Sequence, residues 1–195
     1  MPRAGLSPDA VVGAALRVVD EHGPDALTLA AVAAECGVAT PSLYKHVASL
    51  GDLRSRLAVR IVDDVTAAAT TAVLGRSGDA ALEALMIAYH HYALEFPARY
   101  ALVPQRPDAD PAADPAAGAA VGAAAARFVA VCFAVLQGYD LDDDRLVHAT
   151  RILRSAMHGF AQLRLSDGFQ LGQDLEATHA VLVRTMQGLR TATVG

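Results

Sequence analysis

The sequence predicts an all-α protein of about nine helices, and three observations carry that expectation. Apolar residues recur at intervals of three and four along most of the chain, the period of a helix with one buried face. No stretch alternates apolar with polar residues as a half-buried strand would. Ser-Pro, Thr-Pro, Gly and Asp residues stand where helices would start and stop. Of the 195 residues 53% are apolar, enough for a sizeable core and too many for a disordered chain.

The same composition narrows the function classes. Cys36 and Cys132 lie far apart with no C-x-x-C spacing, which signals neither a disulfide framework nor a zinc site. The N-terminal M-P-R-A-G-L-S-P lacks the apolar centre of a signal peptide. The longest apolar stretch, 116–136, is mostly Ala and Gly and contains Arg127, so no membrane span is expected and the chain reads as cytoplasmic. Among the histidines, the neighbours His90 and His91 would point about 100° apart on a helix and cannot chelate as an i, i+4 pair. With no H-E-x-x-H, G-x-S-x-G or phosphate-cradling glycine loop, no catalytic residue, metal or cofactor is expected.

The elements follow in order. Ser7-Pro8-Asp9 is a helix start, with a hydroxyl cap, a first-turn proline and an acid at the positive end of the helix dipole. Val12, Leu16 and Val19 mark its buried face, and His22-Gly23-Pro24 stops it. Thr28 can cap a second helix carrying Leu29, Val32, Ala33 and Cys36, and Gly37 can leave it in a left-handed conformation. Thr40-Pro41 opens a third helix as cap and first-turn proline, with Leu43 and Val47 facing inward and Pro41, Ser42, Tyr44, Lys45 and His46 turned outward or to the side. Ser49 and Asp52 form an acidic capping box for a long fourth helix, in which Leu53, Leu57, Ile61 and Val65 recur every four residues to about Leu74.

Two short helices, a tight turn and a polar third helix over two apolar pegs make a helix-turn-helix suited to phosphates and base edges. The net charge of −5 does not announce a nucleic-acid binder, but its distribution helps. Residues 1–60 are balanced, whereas 40–60 hold Lys45, Arg54, Arg56 and Arg60 against Asp52 alone, and Lys45 is the only lysine in the chain. A surface helix with a solvated Lys and Tyr is the alternative reading of the same residues.

The order helix, helix, G-V-A-T-P-S-L-Y-K-H-V, long helix resembles the DNA-binding unit of TetR-family transcriptional regulators over about residues 8–60. The resemblance implies a homodimer with a divergent helical ligand-binding and dimerisation region behind the reading unit. It implies DNA contacts from Thr40, Pro41, Ser42, Tyr44, Lys45 and His46, and a phosphate contact from Thr28. Val47 and Leu50 stand where many members carry an aromatic and a basic residue, so no phosphate contact is carried over to position 50; Arg54 or Arg56, one turn on, could supply one. Domains of 1–60 and 61–195 are expected on this basis.

In the second region, Gly75–Gly78 breaks the long helix and Asp79 can cap the next, which carries Leu82, Leu85, Met86, Tyr89 and Phe96. Pro97 ends it, a short helix holds Tyr100 and Leu102, and the Pro- and Asp-rich stretch 104–115 reads as a loop. An Ala/Gly-rich helix follows over 116–138. Asp142 caps a helix to about Leu165, and after Gly168 and Gly172 a last helix carries Leu175, Leu182, Met186 and Leu189. M-H-G-F-A-Q-L-R-L and F-P-A-R-Y resemble the C-terminal region of a TetR branch with a Trp-His-Gly pattern, although this chain has no tryptophan. Polar groups on these apolar helices could line an effector pocket formed by Met86, Tyr89, His90, Tyr100, Arg127, Phe128, Cys132, Arg151, His158 and Gln162. By the resemblance, Leu146, Leu153, Phe160, Leu175, Leu182, Met186 and Leu189 would meet their symmetry mates in a four-helix bundle, with packing inside one protomer as the alternative.

The function expected is therefore a ligand-responsive repressor that binds a near-palindromic operator in double-stranded DNA as a homodimer, with a small-molecule effector and no membrane partner. The alternative is a helical small-molecule-binding or enzymatic protein in which the helix-turn-helix only packs.

Overall fold

The structure, a computed structural model, describes residues 6–103 and 115–191. Its helices are α1 (Pro8–His22), α2 (Leu29–Glu35), α3 (Thr40–Leu43), α4 (Leu50–Val73), α5 (Gly78–Glu95), α6 (Pro97–Tyr100), α7 (Pro115–Leu136), α8 (Asp143–Leu165) and α9 (Leu175–Gln187), with single 3₁₀ turns after α1, α7 and α9. No strand occurs among the described residues. Most of the loop expected at 104–115 falls outside them, and Pro115 itself opens α7.

The ends of the helices follow their local chemistry. The Ser7 hydroxyl accepts from the Ala10 amide at 3.1 Å, and the Asp142 and Asp174 carboxylates accept from the amides of Arg145 and Glu176 at 2.9 Å each. Two expected caps are corrected. Ala39, not Thr40, precedes the first helical residue of α3, which leaves the Thr40 hydroxyl unused as a cap. Asp79 lies inside the first turn of α5, where its carboxylate accepts from the Tyr139 hydroxyl at 2.8 Å. That bond needs a close approach: a Cβ added to Gly138 would lie 3.1 Å from the amide nitrogen of Gly78.

Contacts divide the chain into two compact units, Met1–Asp63 with Phe96–Ala125, and Asp64–Glu95 with Ala126–Gly195. The boundary drawn from sequence at residue 60 did not anticipate Phe96–Ala125 beside the N-terminal residues. Arg99 on α6 gives the reason, because its guanidinium grips both carboxylate oxygens of Asp20 on α1 at 2.7 and 2.6 Å. In this first unit Val11, Ala15, Leu16 and Val19 of α1, Leu27, Val32 of α2, Leu43, Val47, and Leu53, Leu57 and Ile61 of α4 are buried together with Tyr100.

In the second unit α5 packs on both α8 and α9, and α8 packs on α9. Its core takes Leu82, Leu85 and Met86 from α5, Cys132 and Leu136 from α7, Leu153 and Met157 from α8, and Val183 and Met186 from α9. The helix Pro115–Tyr139 is long and apolar enough to cross a membrane on length and composition. Against that use, Phe128, Cys132, Val135 and Leu136 are spent on this core.

The stripe expected at a dimer interface lies mostly inside the protomer. Leu146, Leu153, Phe160, Met186 and Leu189 are buried within the single protomer, and Leu175 and Leu182 are half-buried. One chain uses the five buried side chains for its own packing, which leaves those five little surface to offer a partner. Large apolar side chains instead stand out on other faces of the same helices: Ile152 and Leu163 on α8 are 47% and 46% exposed, and Val181 on α9 is 53% exposed.

Candidate nucleic-acid interface

The reading segment is built by two caps and two buried pegs. Thr28 sits before α2 and accepts from the Ala31 amide at 3.1 Å. Gly37, at φ 67°, turns the chain out of α2 in the left-handed region that favours glycine. Leu43 and Val47 are buried beneath α3, as their four-residue spacing requires. The α-helix itself is one turn long and ends at Leu43, shorter than expected. Tyr44, Lys45 and His46 follow in a turn held by the amides of His46 and Val47, which donate to the Leu43 carbonyl at 2.8 and 3.0 Å.

Asp52 stops the segment there. Its carboxylate accepts from the Ala48 amide at 2.8 Å while the Ser49 hydroxyl accepts from the Asp52 amide at 3.0 Å, so a new helix starts at Leu50, three residues after Val47. The other oxygen of Asp52 holds Nε of Arg56 at 2.8 Å. Arg56, one of the two candidates for a substitute phosphate contact, is thus already engaged.

The result is a short polar ridge over an apolar base. Tyr44 is 57% exposed; Pro41 and Lys45 are exposed, and Thr40, Ser42 and His46 are half-buried at its flanks. Behind it, Arg17 of α1 pairs with Glu35 of α2, whose carboxylate offsets one surface positive charge and ties the two supporting helices together. Lys45 is the lone Lys or Arg between positions 18 and 53. This arrangement fits a phosphate backbone and groove edges, with hydroxyl, phenol, imidazole and ammonium groups on one narrow face.

The second unit brings together only part of the expected effector pocket. The Tyr89 hydroxyl lies 3.3 Å from Nδ1 of His158, and the Tyr89 ring packs 5.5 Å from that of Phe128. Burial and the positive charge of Arg154 hold His158 below its ordinary pKa, so a neutral imidazole can accept from the phenol. Met86 and Cys132 are buried in the same unit, and burial pushes the Cys132 thiol up to about 12, which makes it a packing group rather than a nucleophile. Arg127, Arg151 and Gln162 are exposed, and Tyr100 is buried within the first unit. His90 joins α9 instead of the Tyr89 group, since its ring stacks on His179. His179 was missed in sequence, although its position four after Leu175 and four before Val183 marks it as inward-facing.

Residues 11–53 match the family described as bacterial regulatory proteins, tetR family, and residues 82–186 match the tetracyclin repressor-like C-terminal domain. The chain belongs to the TetR family. Over 94% of its length this TetR-family regulator is 30% identical to the uncharacterized HTH-type transcriptional regulator YobS of Bacillus subtilis, covering 92% of that protein. It is 37% identical to the uncharacterized HTH-type transcriptional regulator Rv0681 of Mycobacterium tuberculosis over 84% of this chain and 72% of the relative. Among solved structures, a protein of unknown function from Rhodococcus sp. RHA1 shares the fold at a TM-score of 0.79 and 22% identity, over 96% of this chain and 97% of that one. The transcriptional regulator SCO7222, a TetR from Streptomyces coelicolor, does so at 0.72 and 18% identity, over 97% and 100%. This TetR-family chain is a DNA-binding regulator of transcription, not an enzyme.

Proposed function

We propose that the protein is a repressor that binds a near-palindromic operator as a homodimer through Thr40, Pro41, Ser42, Tyr44, Lys45 and His46, with Thr28 against a phosphate. The observation that carries the reading is the exposed Tyr44–Lys45 pair in a turn pinned from below by buried Leu43 and Val47. Lys45 reads a base edge or phosphate, and Tyr44 packs on the backbone. One lysine on so short a segment supplies few phosphate contacts per protomer, so tight binding requires two protomers on successive major grooves, about 34 Å apart.

The partner surface we propose is the outer face of α8 and α9, with Ile152, Ser155, Gly159 and Leu163 in one row and Val181 on the neighbouring helix. Half-exposed Ile152, Leu163 and Val181 support it, because apolar side chains of this size gain from being covered. The effector site we propose surrounds Tyr89, Phe128 and His158, where an aromatic wall and a neutral hydrogen-bonding pair suit an apolar or aromatic small molecule. A solved TetR from Acinetobacter baumannii AYE in complex with minocycline, similar in fold at a TM-score of 0.65, is a polycyclic-ligand precedent. Effector binding shifts the dimer to a geometry in which the reading segments no longer match the groove spacing. Acting on bacterial DNA, the protein works in the cytoplasm.

The test selects tight sites from random duplex DNA with the wild type, then measures the best site with a Tyr44→Ala/Lys45→Ala double variant. At about 1–3 kcal/mol per lost contact, affinity should fall by roughly 100-fold or more while the helical content and oligomeric state stay unchanged. Undiminished affinity and selectivity in a folded double variant would sink the assignment.

A further inference from the structure

The second unit holds a polar cluster that neither DNA reading nor the Tyr89 group uses. His90 of α5 and His179 of α9 are 3% and 7% exposed, and their rings stack at 4.4 Å between centroids with planes 19° apart. Phe160 of α8 closes the pair on one side, 5.2 Å from His90 and 5.1 Å from His179, and Phe169 packs behind Phe160. The charged and titratable groups facing the pair are His91 on α5, Arg164 on α8 and Glu176 on α9. Glu176 is already committed to Arg164, at 2.7 Å.

The hydrogen bonding assigns the proton. Nη1 of Arg164 lies 3.3 Å from Nε2 of His90. A guanidinium can only donate, so Nε2 must be bare and the neutral ring carries its proton on Nδ1. That Nδ1 is buried and has no partner among the described residues. Protonating His90 would therefore place a second donor directly against a permanent cation, in a site whose one carboxylate is taken. Charging His179 instead would press an imidazolium against the His90 ring with the same guanidinium nearby.

We propose that the His90–His179 stack is an acid-sensitive latch: it holds α9 on α5 only while both imidazoles are neutral, and a fall in pH releases α9. Burial first, then the charges of His179 and Arg164, lower His90 from 6.5 to about 4, and burial lowers His179 as well. A histidine depressed in the folded state contributes stability that is fully present above the unfolded value of 6.5 and is lost as pH falls towards the folded value. The window of release is thus roughly pH 6.5 down to 4. Because Val181 of α9 belongs to the proposed dimer face, release of α9 weakens the dimer and with it the operator complex; this consequence rests on the dimer reading above, whereas the latch does not.

The test is hydrogen exchange of the α9 amides, 175–187, in the full chain at pH 7.5 and pH 5.0, corrected for the intrinsic pH dependence of exchange, with sedimentation run in parallel. From the His90 values alone, the opening equilibrium of α9 should rise by about 30-fold between these conditions. A His90→Gln/His179→Gln variant, which keeps polar groups that cannot charge, should change less than about 3-fold, since both titrating groups are gone. A flat response in the wild type, or the same rise in the variant, overturns the latch. Should the variant fail to fold, assigned imidazole resonances of the wild type decide: titration of His90 well below the ordinary histidine range supports the latch, and titration near 6.5 overturns it. A protein that is monomeric at pH 7.5 yet opens α9 with acid supports the latch and removes the dimer reading; a dimer with pH-independent α9 exchange removes the latch alone.

Discussion

The two units place their polar groups in opposite ways. In the first, the buried set is almost wholly apolar, with Ser55 the one buried polar residue among those described, and the hydroxyl, phenol and ammonium groups are pushed to the surface of the reading segment. In the second, His90, Thr150 and His179 are buried, and Tyr89, Tyr139 and His158 hydrogen-bond at the edge of the core. The first arrangement fits a rigid platform whose ligand is met outside. The second puts titratable and hydrogen-bonding groups where a small molecule or a proton can change the packing, because an uncompensated polar group in a low-dielectric interior is costly.

The largest effect that can sharpen this contrast comes from one truncation in each unit. Leu43→Ala and Leu153→Ala both remove fully buried side chains, and each should cost about 2–5 kcal/mol by chemical denaturation. Leu43→Ala should also impair DNA binding in protein that is still folded, since Leu43 is the peg beneath Tyr44 and Lys45. If Leu153→Ala impaired DNA binding equally in folded dimer, the division of labour between the units would fail.

A smaller effect separates the inner from the outer face of α8. Ile152→Glu should leave protomer stability within about 0.5 kcal/mol, as exposed positions do, while weakening self-association at least 30-fold by sedimentation. Self-association unchanged by this substitution would move the dimer face elsewhere. The smallest effect is at Gly37, where alanine in a left-handed conformation should cost about 1–2 kcal/mol and lower operator affinity by displacing the reading segment. Glycine-like stability in Gly37→Ala would mean that the turn relaxes without strain.

Most of the first unit was legible because its signals are local. Ser7, Thr28 and the Ser49–Asp52 pair each bond to an amide within four residues, and Gly37 answers to its own φ. The same local logic slipped by one residue at Thr40, where a Thr-Pro pair serves the first turn as readily as the cap. The family resemblance over 8–60 was carried by G-V-A-T-P-S-L-Y-K-H-V for the same reason: its residues act on their immediate neighbours.

In the second unit, helix positions were legible and helix faces were not. Successive residues on a helix point about 100° apart, so the buried Leu153 and the half-exposed Ile152 differ by one position and by the whole of their environment. An Ala-rich chain with apolar residues on several faces leaves that choice to the packing of α5, α8 and α9. The sequence alone determined an all-α chain with a helix-turn-helix, because helix period, caps and the left-handed glycine act over a few residues. Only the tertiary structure decided that Arg99 reaches Asp20, that His90 stacks on His179, and that the outer face of α8 carries Ile152 and Leu163, because each depends on side chains brought together across long separations in the chain.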